Sequence, residues 1–233
     1  MARKRRPRGW LWRIIAALVL MAGVAALWLW WDIQHWTPQE AAFPDQGAVV
    51  TSQTGPADFR TLSAIGADFV YLEASTGAGH RDSRFTANYA AAREAGLQVG
   101  AIHRFDPCVL ADGQSANFAT MVPREKALLP SAIALTRLAD TCPKRVSDAA
   151  IESELMTLIN QIEHHTGKPV ILKITPEFED HYAISAKLER NLWVQQTRFA
   201  PSYAVRPWLL WSANAHLQTA AAEEPLEWVV VQP

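Results

Sequence analysis

The chain has 233 residues with 22 basic and 23 acidic side chains, a net charge of −1, and a 49% share of hydrophobic residues. That length and apolar content suit one barrel-sized domain with a substantial core. The charge is unevenly spread: Arg3, Lys4, Arg5, Arg6, Arg8 and Arg13 all precede the first acid, Asp32, so the remainder carries 16 basic against 23 acidic residues, or −7. An acidic body of this kind excludes nucleic-acid binding, which needs a basic face.

In chain order, residues 1–13 form a basic tail. Ile14 to Trp31, IIAALVLMAGVAALWLWW, is an uncharged run of 18 residues, long enough to cross a bilayer as a helix. The arginines in front of it place the N-terminus in the cytoplasm, and the tryptophans at both ends suit the two membrane interfaces. A cleaved signal peptide is the competing reading, but its apolar region is usually shorter and ends in small residues, whereas this one runs into Leu27-Trp28-Leu29-Trp30-Trp31. An anchor puts the body outside the cytoplasmic membrane. Residues 32–46 contain two prolines and no period, as a short tether would.

The domain proper is expected over 47–233. GAVVTS (47–52) is the candidate first strand, followed by a helix from about Ala57 to Ile65. The next stretch, Asp68 to Phe105, reads as a complete β-α-β unit. DFVYLEAS is of strand type; in FTANYAAAREAGL, Phe85, Tyr89, Ala92 and Leu97 recur near helical spacing with Gly96 at the stop; VGAIHRF is a second strand. Such units build parallel α/β folds, which place their chemistry at the carboxyl ends of the strands. The residues expected there are Glu73, Ser75, Thr76, His103, Arg104 and Asp106.

Further along, a helix is expected from about Gly113 to Met121 and a strand at LPSAIALT (129–136). Ser147 to Gly167 is the clearest helix, with the stripe Ile151, Leu155, Leu158 and Ile162, and with His164 and His165 near its end as dipole-complementing groups. KPVILKIT, NLWVQ (191–195), RPWLLWS (206–212) and Leu226–Val231 are the remaining strands. Glu177 and Glu179 are expected as exposed acids of a helix start, with a place at the mouth as the other reading. Cys108 and Cys142, the only cysteines, read as a disulfide if the domain is exported; metal binding is the weaker alternative, since no His flanks either at ligand spacing. No phosphate-binding or dinucleotide motif is present, so no cofactor is expected.

The β-α-β unit, with its D-F-V-Y-L-x-A-S-x-G strand, F-x-x-N-Y-x-x-A-R-x-A-G-L helix and V-G-A-x-H-x-F strand, resembles glycoside hydrolase family 25, the Chalaropsis-type lysozymes. The resemblance implies a TIM-barrel-like (β/α) barrel, a muramidase activity and peptidoglycan as the ligand. It also implies where the catalytic carboxylates belong. The family's G-x-D-V-S strand has its Asp where this chain has Val49, and its L-P-x-x-x-D-x-E strand has Asp and Glu where this chain has Ala134 and Thr136.

Glycoside hydrolysis needs one carboxylic acid to protonate the leaving oxygen and a second carboxylate as base or nucleophile. Val, Ala and Thr offer neither. The expectation is therefore a lysozyme-like domain without hydrolysis, binding peptidoglycan strands or an envelope protein. An active enzyme with relocated acids, Glu73 and Asp106, is the alternative, and a scaffold that recognises no glycan is a third. Glu73 pairing with Arg104 and Asp106 capping a turn is the structural reading of the same two acids. His103, Arg104, Trp193 and Trp211 fall where the resemblance implies substrate contacts, with a core role for Trp193 as the other reading. A different strand register, turning Asp45, Asp58 or Asp140 into the cavity, would restore an acid to the site.

Overall fold

The computed structural model describes residues 8–233, so the basic cluster Arg3 to Arg6 lies outside the described residues. Helix α1 (Arg8–His35) is followed by strand β1 (Gln46–Val50), α2 (Phe59–Ala64), β2 (Phe69–Thr76), a two-residue strand β3 (His80–Arg81), α3 (Phe85–Glu94), β4 (Gln98–Arg104) and α4 (Ala111–Met121). Then come β5 (Ala132–Leu135), α5 (Asp148–Thr166), β6 (Ile171–Ile174), α6 (Pro176–Tyr182), α7 (Ile184–Lys187), β7 (Asn191–Gln195), β8 (Leu210–Leu217) and β9 (Leu226–Val231).

The strands follow the order β1-β9-β8-β7-β6-β5-β4-β2, and β1 pairs with β2 to close an eight-stranded barrel, with β3 as an antiparallel flap on β2. Within the barrel the pairs from β1–β2 through β7–β8 are parallel, and of the barrel strands only β9 runs against its neighbours. Alternation along each strand sorts the apolar residues into two layers. Val49, Phe69, Tyr71, Ile102, Ala134, Trp193 and Val229 fill the lumen, while a larger set joins the outer strand faces to the helices. Gly100 is required by the lumen: a Cβ there would lie 2.3 Å from the Tyr71 ring.

Local signals set most element ends. Asp58 accepts from the backbone N–H of Arg60 and Thr61 to cap α2, Ser147 caps α5, and Gly167 ends α5 in the left-handed conformation. Asp58 is thus spent on a helix start rather than aimed into the barrel. Helix α2 is shorter than the expected 57–65 because Gly66, at φ 100°, stops it and Pro56 precedes it. His165 is not a simple cap: its Nε2 meets the Val122 carbonyl at 2.8 Å, and its Nδ1 accepts from Arg124. Glu177 is exposed, but Glu179 is buried, contrary to expectation, because it accepts from the Ser185 N–H at 3.0 Å and from the Ser185 hydroxyl.

Residues 32–46, expected as a short tether, are packed on the barrel. Helix α1 continues to His35, and the chain beyond it packs down the outside of β8, with Trp36 and Phe43 against Trp211 at ring separations of 6.5 and 5.7 Å. Gln46 locks the lower end, donating to the Pro38 and Phe43 carbonyls and accepting from Trp228 Nε1 at 2.6 Å. Aromatic area buried this way outweighs the chain freedom that a proline-containing linker retains. Cys108 and Cys142 are disulfide-bonded, their Cα atoms 5.3 Å apart, joining the loop after β4 to the turn after β5.

Candidate active site

Parallel strands all point their carboxyl ends at one rim, so the mouth of the barrel is built by the last inward-facing residues of each strand. In β1 that residue is Val49, in register with Tyr71 of β2 on one side and Glu227 of β9 on the other. In β5 it is Ala134, in register with Arg104 of β4 and Lys173 of β6. Both Val49 and Ala134 are buried, and Thr136 follows the end of β5, half-buried. The register sets Val49 and Ala134 at the rim, with Thr136 just past the end of β5, and none of the three carries a carboxyl group.

Three carboxylates at the mouth, Glu73, Asp106 and Glu227, are each held by a cation. Glu73 Oε2 lies 2.5 Å from Arg104 Nη2, and Glu73 Oε1 accepts from Thr76 Oγ1 at 3.1 Å, so both oxygens are engaged. Asp106 Oδ1 accepts from Arg137 Nη1 at 2.9 Å and from the Cys108 N–H at 3.0 Å, a turn-capping geometry. Glu227 Oε2 sits 2.6 Å from Lys173 Nζ, and its Oε1 accepts from the Ser212 hydroxyl. Ser212 in turn accepts from Trp193 Nε1 at 2.7 Å, and Lys173 Nζ stands 4.5 Å from the Trp193 ring centroid. Lys173, Glu227, Ser212 and Trp193 therefore form one connected polar network just inside the rim.

Lys173 is a site residue that sequence reasoning passed over, and Glu227, which stands in the strand that corresponds by resemblance to the family's D-L-N segment, was not expected to have a partner. Their signal was a single charge inside an otherwise apolar strand, I-L-K-I and L-E-W-V-V-V, at an inward position. Such a charge must find a partner or lose its hydration without return.

His103, on the outward face of β4 against Phe118 and Gln114 of α4, is wholly buried. Its Nδ1 is 2.9 Å from Ser75 Oγ and its Nε2 is 3.2 Å from Gln114 Oε1. Gln114 Oε1 also accepts from the Asp106 N–H, while its Nε2 donates to the Asp106 and Val109 carbonyls. The amide is thereby oriented, so His103 Nε2 must donate to it and Nδ1 accepts from Ser75. Desolvation draws the His103 pKa down to about 4, against a weaker upward pull from the Gln114 bond and the Glu73 charge.

Of the four residues placed at substrate contacts by resemblance, only Arg104 has a substantially exposed side chain, at 41%. Trp193 lies in the lumen with no exposed surface, and Trp211 faces outward from the barrel under Trp36, Phe43 and Trp208. Trp193 thus stands in the lumen behind the mouth, and His103 and Trp211 belong to the outer layer. The acids that a shifted register would have brought in stay out. Asp45 lies at the opposite, amino end of the strands, beside a cavity of about 260 Å³ lined also by Asp68, Gln98 and Leu129, and Asp140 is exposed in the turn after β5. Among the described residues no group of three or more His, Cys, Asp or Glu is placed to hold a metal ion.

A closed barrel of parallel strands ending in antiparallel β9 defines a lysozyme-type (β/α) architecture. It is similar to a family 25 glycosyl hydrolase from Bacillus anthracis, at TM-score 0.76 and 25% identity, over 86% of this chain and 93% of that one. It shares the fold of a bacterial lysozyme from Streptomyces coelicolor, at TM-score 0.70 and 20% identity, over 81% and 92% of the two chains. In sequence, 58 residues are 36% identical to Lysozyme M1 of Streptomyces globisporus; this match spans 25% of this chain and only a fifth of that relative. The family model for glycosyl hydrolases family 25 matches residues 50–221. The chain belongs to that family.

Proposed function

We propose that this chain is a membrane-anchored family 25 domain that faces the cell envelope and binds peptidoglycan strands or an envelope protein without hydrolysing glycosidic bonds. One observation supports the reading: Glu73, Asp106 and Glu227 are each tied to a cation, and the positions that the resemblance assigns to the family's acids are Val49, Ala134 and Thr136. Hydrolysis with either stereochemical outcome requires two carboxyl groups free to meet the scissile bond and a water or the sugar carbon. Here each acid would have to break an ion pair first.

The segment Trp10–His35 is long and apolar enough to span a membrane, with a mean hydropathy of 2.2 in its most apolar window and none of that window buried. Arginines on its N-terminal side support a cytoplasmic N-terminus and a barrel outside the cytoplasmic membrane. The Cys108–Cys142 disulfide agrees with an oxidising compartment. The proposed division is a basic tail over 1–13, an anchor over 14–31, a docked connection over 32–46 and the barrel over 47–233. The test is co-sedimentation of the detergent-solubilised protein with purified sacculi, alongside release of soluble muropeptides. Retention without release supports the proposal. Release that disappears in Glu73→Gln would establish relocated catalysis, and no retention would favour a scaffold that recognises no glycan.

A further inference from the structure

The end of α1 is built into the barrel. A helix leaves its last carbonyls without intrahelical donors, and a span that simply continued into a tether would leave them to water. Here Asn214 Nδ2 donates to the carbonyls of Ile33 and Trp36 at 2.8 and 3.0 Å, and the Gln218 N–H donates to the carbonyl of Gln34 at 2.8 Å. Asp32 forms an ion pair with Arg198, whose guanidinium also stands 5.9 Å from the Trp36 ring centroid. The helix end is thereby fixed to the upper half of β8 and to the loop that follows β7.

Where these contacts fall along the chain matters. The uncharged run ends at Trp31 and Asp32 is the next residue. Eighteen residues rise about 27 Å, close to the thickness of a bilayer's hydrocarbon core. Asp32 then sits at the headgroup level, and Arg198 sits there with it. Phe199, one residue beyond Arg198, is 68% exposed. Residues 196–199 leave the carboxyl end of β7, and Asn214 to Gln218 lie at the carboxyl end of β8. Both belong to the end of the barrel that carries the mouth.

We propose that the mouth-end rim formed by residues 196–199 rests directly on the lipid bilayer, with Phe199 seated at the boundary between headgroups and acyl chains. The barrel rides on the membrane as one body with α1, its mouth opening within reach of the lipid surface. A glycan taken up there is one held close to the membrane and not one deep in the wall. This rests on reading α1 as a membrane span. An aromatic ring beside a guanidinium is the side-chain chemistry that the interface favours.

The test uses the full chain in nanodiscs of phosphatidylethanolamine and phosphatidylglycerol, with a nitroxide attached at Phe199→Cys or at Glu94→Cys. Glu94 ends α3, at the opposite end of the barrel, and both native cysteines are locked in the disulfide. Resistance of the unlabelled protein to alkaline extraction reports the span independently. The expected result is that the label at 199 collides more with lipid-dissolved oxygen than with a water-soluble nickel chelate, and the label at 94 the reverse. An extraction-resistant protein whose two labels are equally open to the chelate overturns the docking while leaving the span standing. A protein that extracts freely overturns both.

Discussion

Lys173 Nζ and Glu227 Oε2 lie 2.6 Å apart inside the barrel, joining β6 to β9 across the two strands between them. Their side chains are only 7% and 16% exposed, so the pair is largely desolvated. Removing one partner of such a pair leaves an uncompensated charge and costs about 3–5 kcal/mol, whereas replacing both with apolar groups is far milder. We expect Lys173→Met to lower the unfolding midpoint by roughly 6–20 °C at 2–4 °C per kcal/mol. The double variant Lys173→Met/Glu227→Leu should recover most of that loss, as read by near-ultraviolet circular dichroism of the detergent-solubilised protein.

His103 gives a pH dependence with a definite sign. Its folded pKa, about 4, lies below the ordinary 6.5 because burial disfavours the charged ring. Above pH 6.5 neither state is protonated and the contribution of the neutral ring is fully present. Between 6.5 and about 4 the unfolded chain binds a proton that the native ring refuses, so stability falls with pH by at most about 1.4 kcal/mol per unit from this group. In His103→Gln the slope between those two pH values should be shallower than in the parent by up to that amount, measured by urea denaturation at a series of pH values.

The disulfide closes a loop of 34 residues. On the chain-entropy account this stabilises the barrel by about 4 kcal/mol. Cys108→Ala/Cys142→Ala should therefore unfold at a visibly lower urea concentration than the parent, and a reducing agent should shift the parent but not the double variant.

Returning single carboxylates to the site should not be equally tolerated. A new acid at Ala134 falls between Arg104 and Lys173, whereas one at Val49 falls beside Glu227. Like charges on directly opposed strand positions repel, and a buried acid without a donor carries a further cost of roughly 1–3 kcal/mol. Val49→Asp is expected to destabilise by about 2 kcal/mol or more, and Ala134→Asp by less than about 1 kcal/mol. Parallel denaturation of the two variants decides this.

Much of the framework was readable because it is encoded locally. NLWVQ and LEWVVV are bounded by their own turn residues, and the stripe and terminal glycine of α5 need no distant partner. The pairings of Glu73 with Arg104 and of Cys108 with Cys142 were also legible, since adjacent parallel strands bring those residues together. The pairing of Lys173 with Glu227 escaped notice because the two are 54 residues apart and it depends on barrel closure, which no local period reports. The packing of Trp36 and Phe43 on Trp211 was hidden for the same reason: a proline-containing stretch reads as linker until the surface that captures it is formed. Trp193 was ambiguous in sequence because inward strand positions near the rim serve core and groove alike; its hydrogen bond to Ser212 and its place over Lys173 make it part of the buried network.

The central claim is that the carboxylates left in the mouth are bound to cations and do not work on a glycosidic bond. Incubation of the purified full-length protein with peptidoglycan, followed by chromatographic measurement of newly formed reducing ends, tests it most directly. No increase over a protein-free control is the expected result, with Glu73→Gln and Asp106→Asn indistinguishable from the parent. A rise in reducing ends that either substitution abolishes would contradict it.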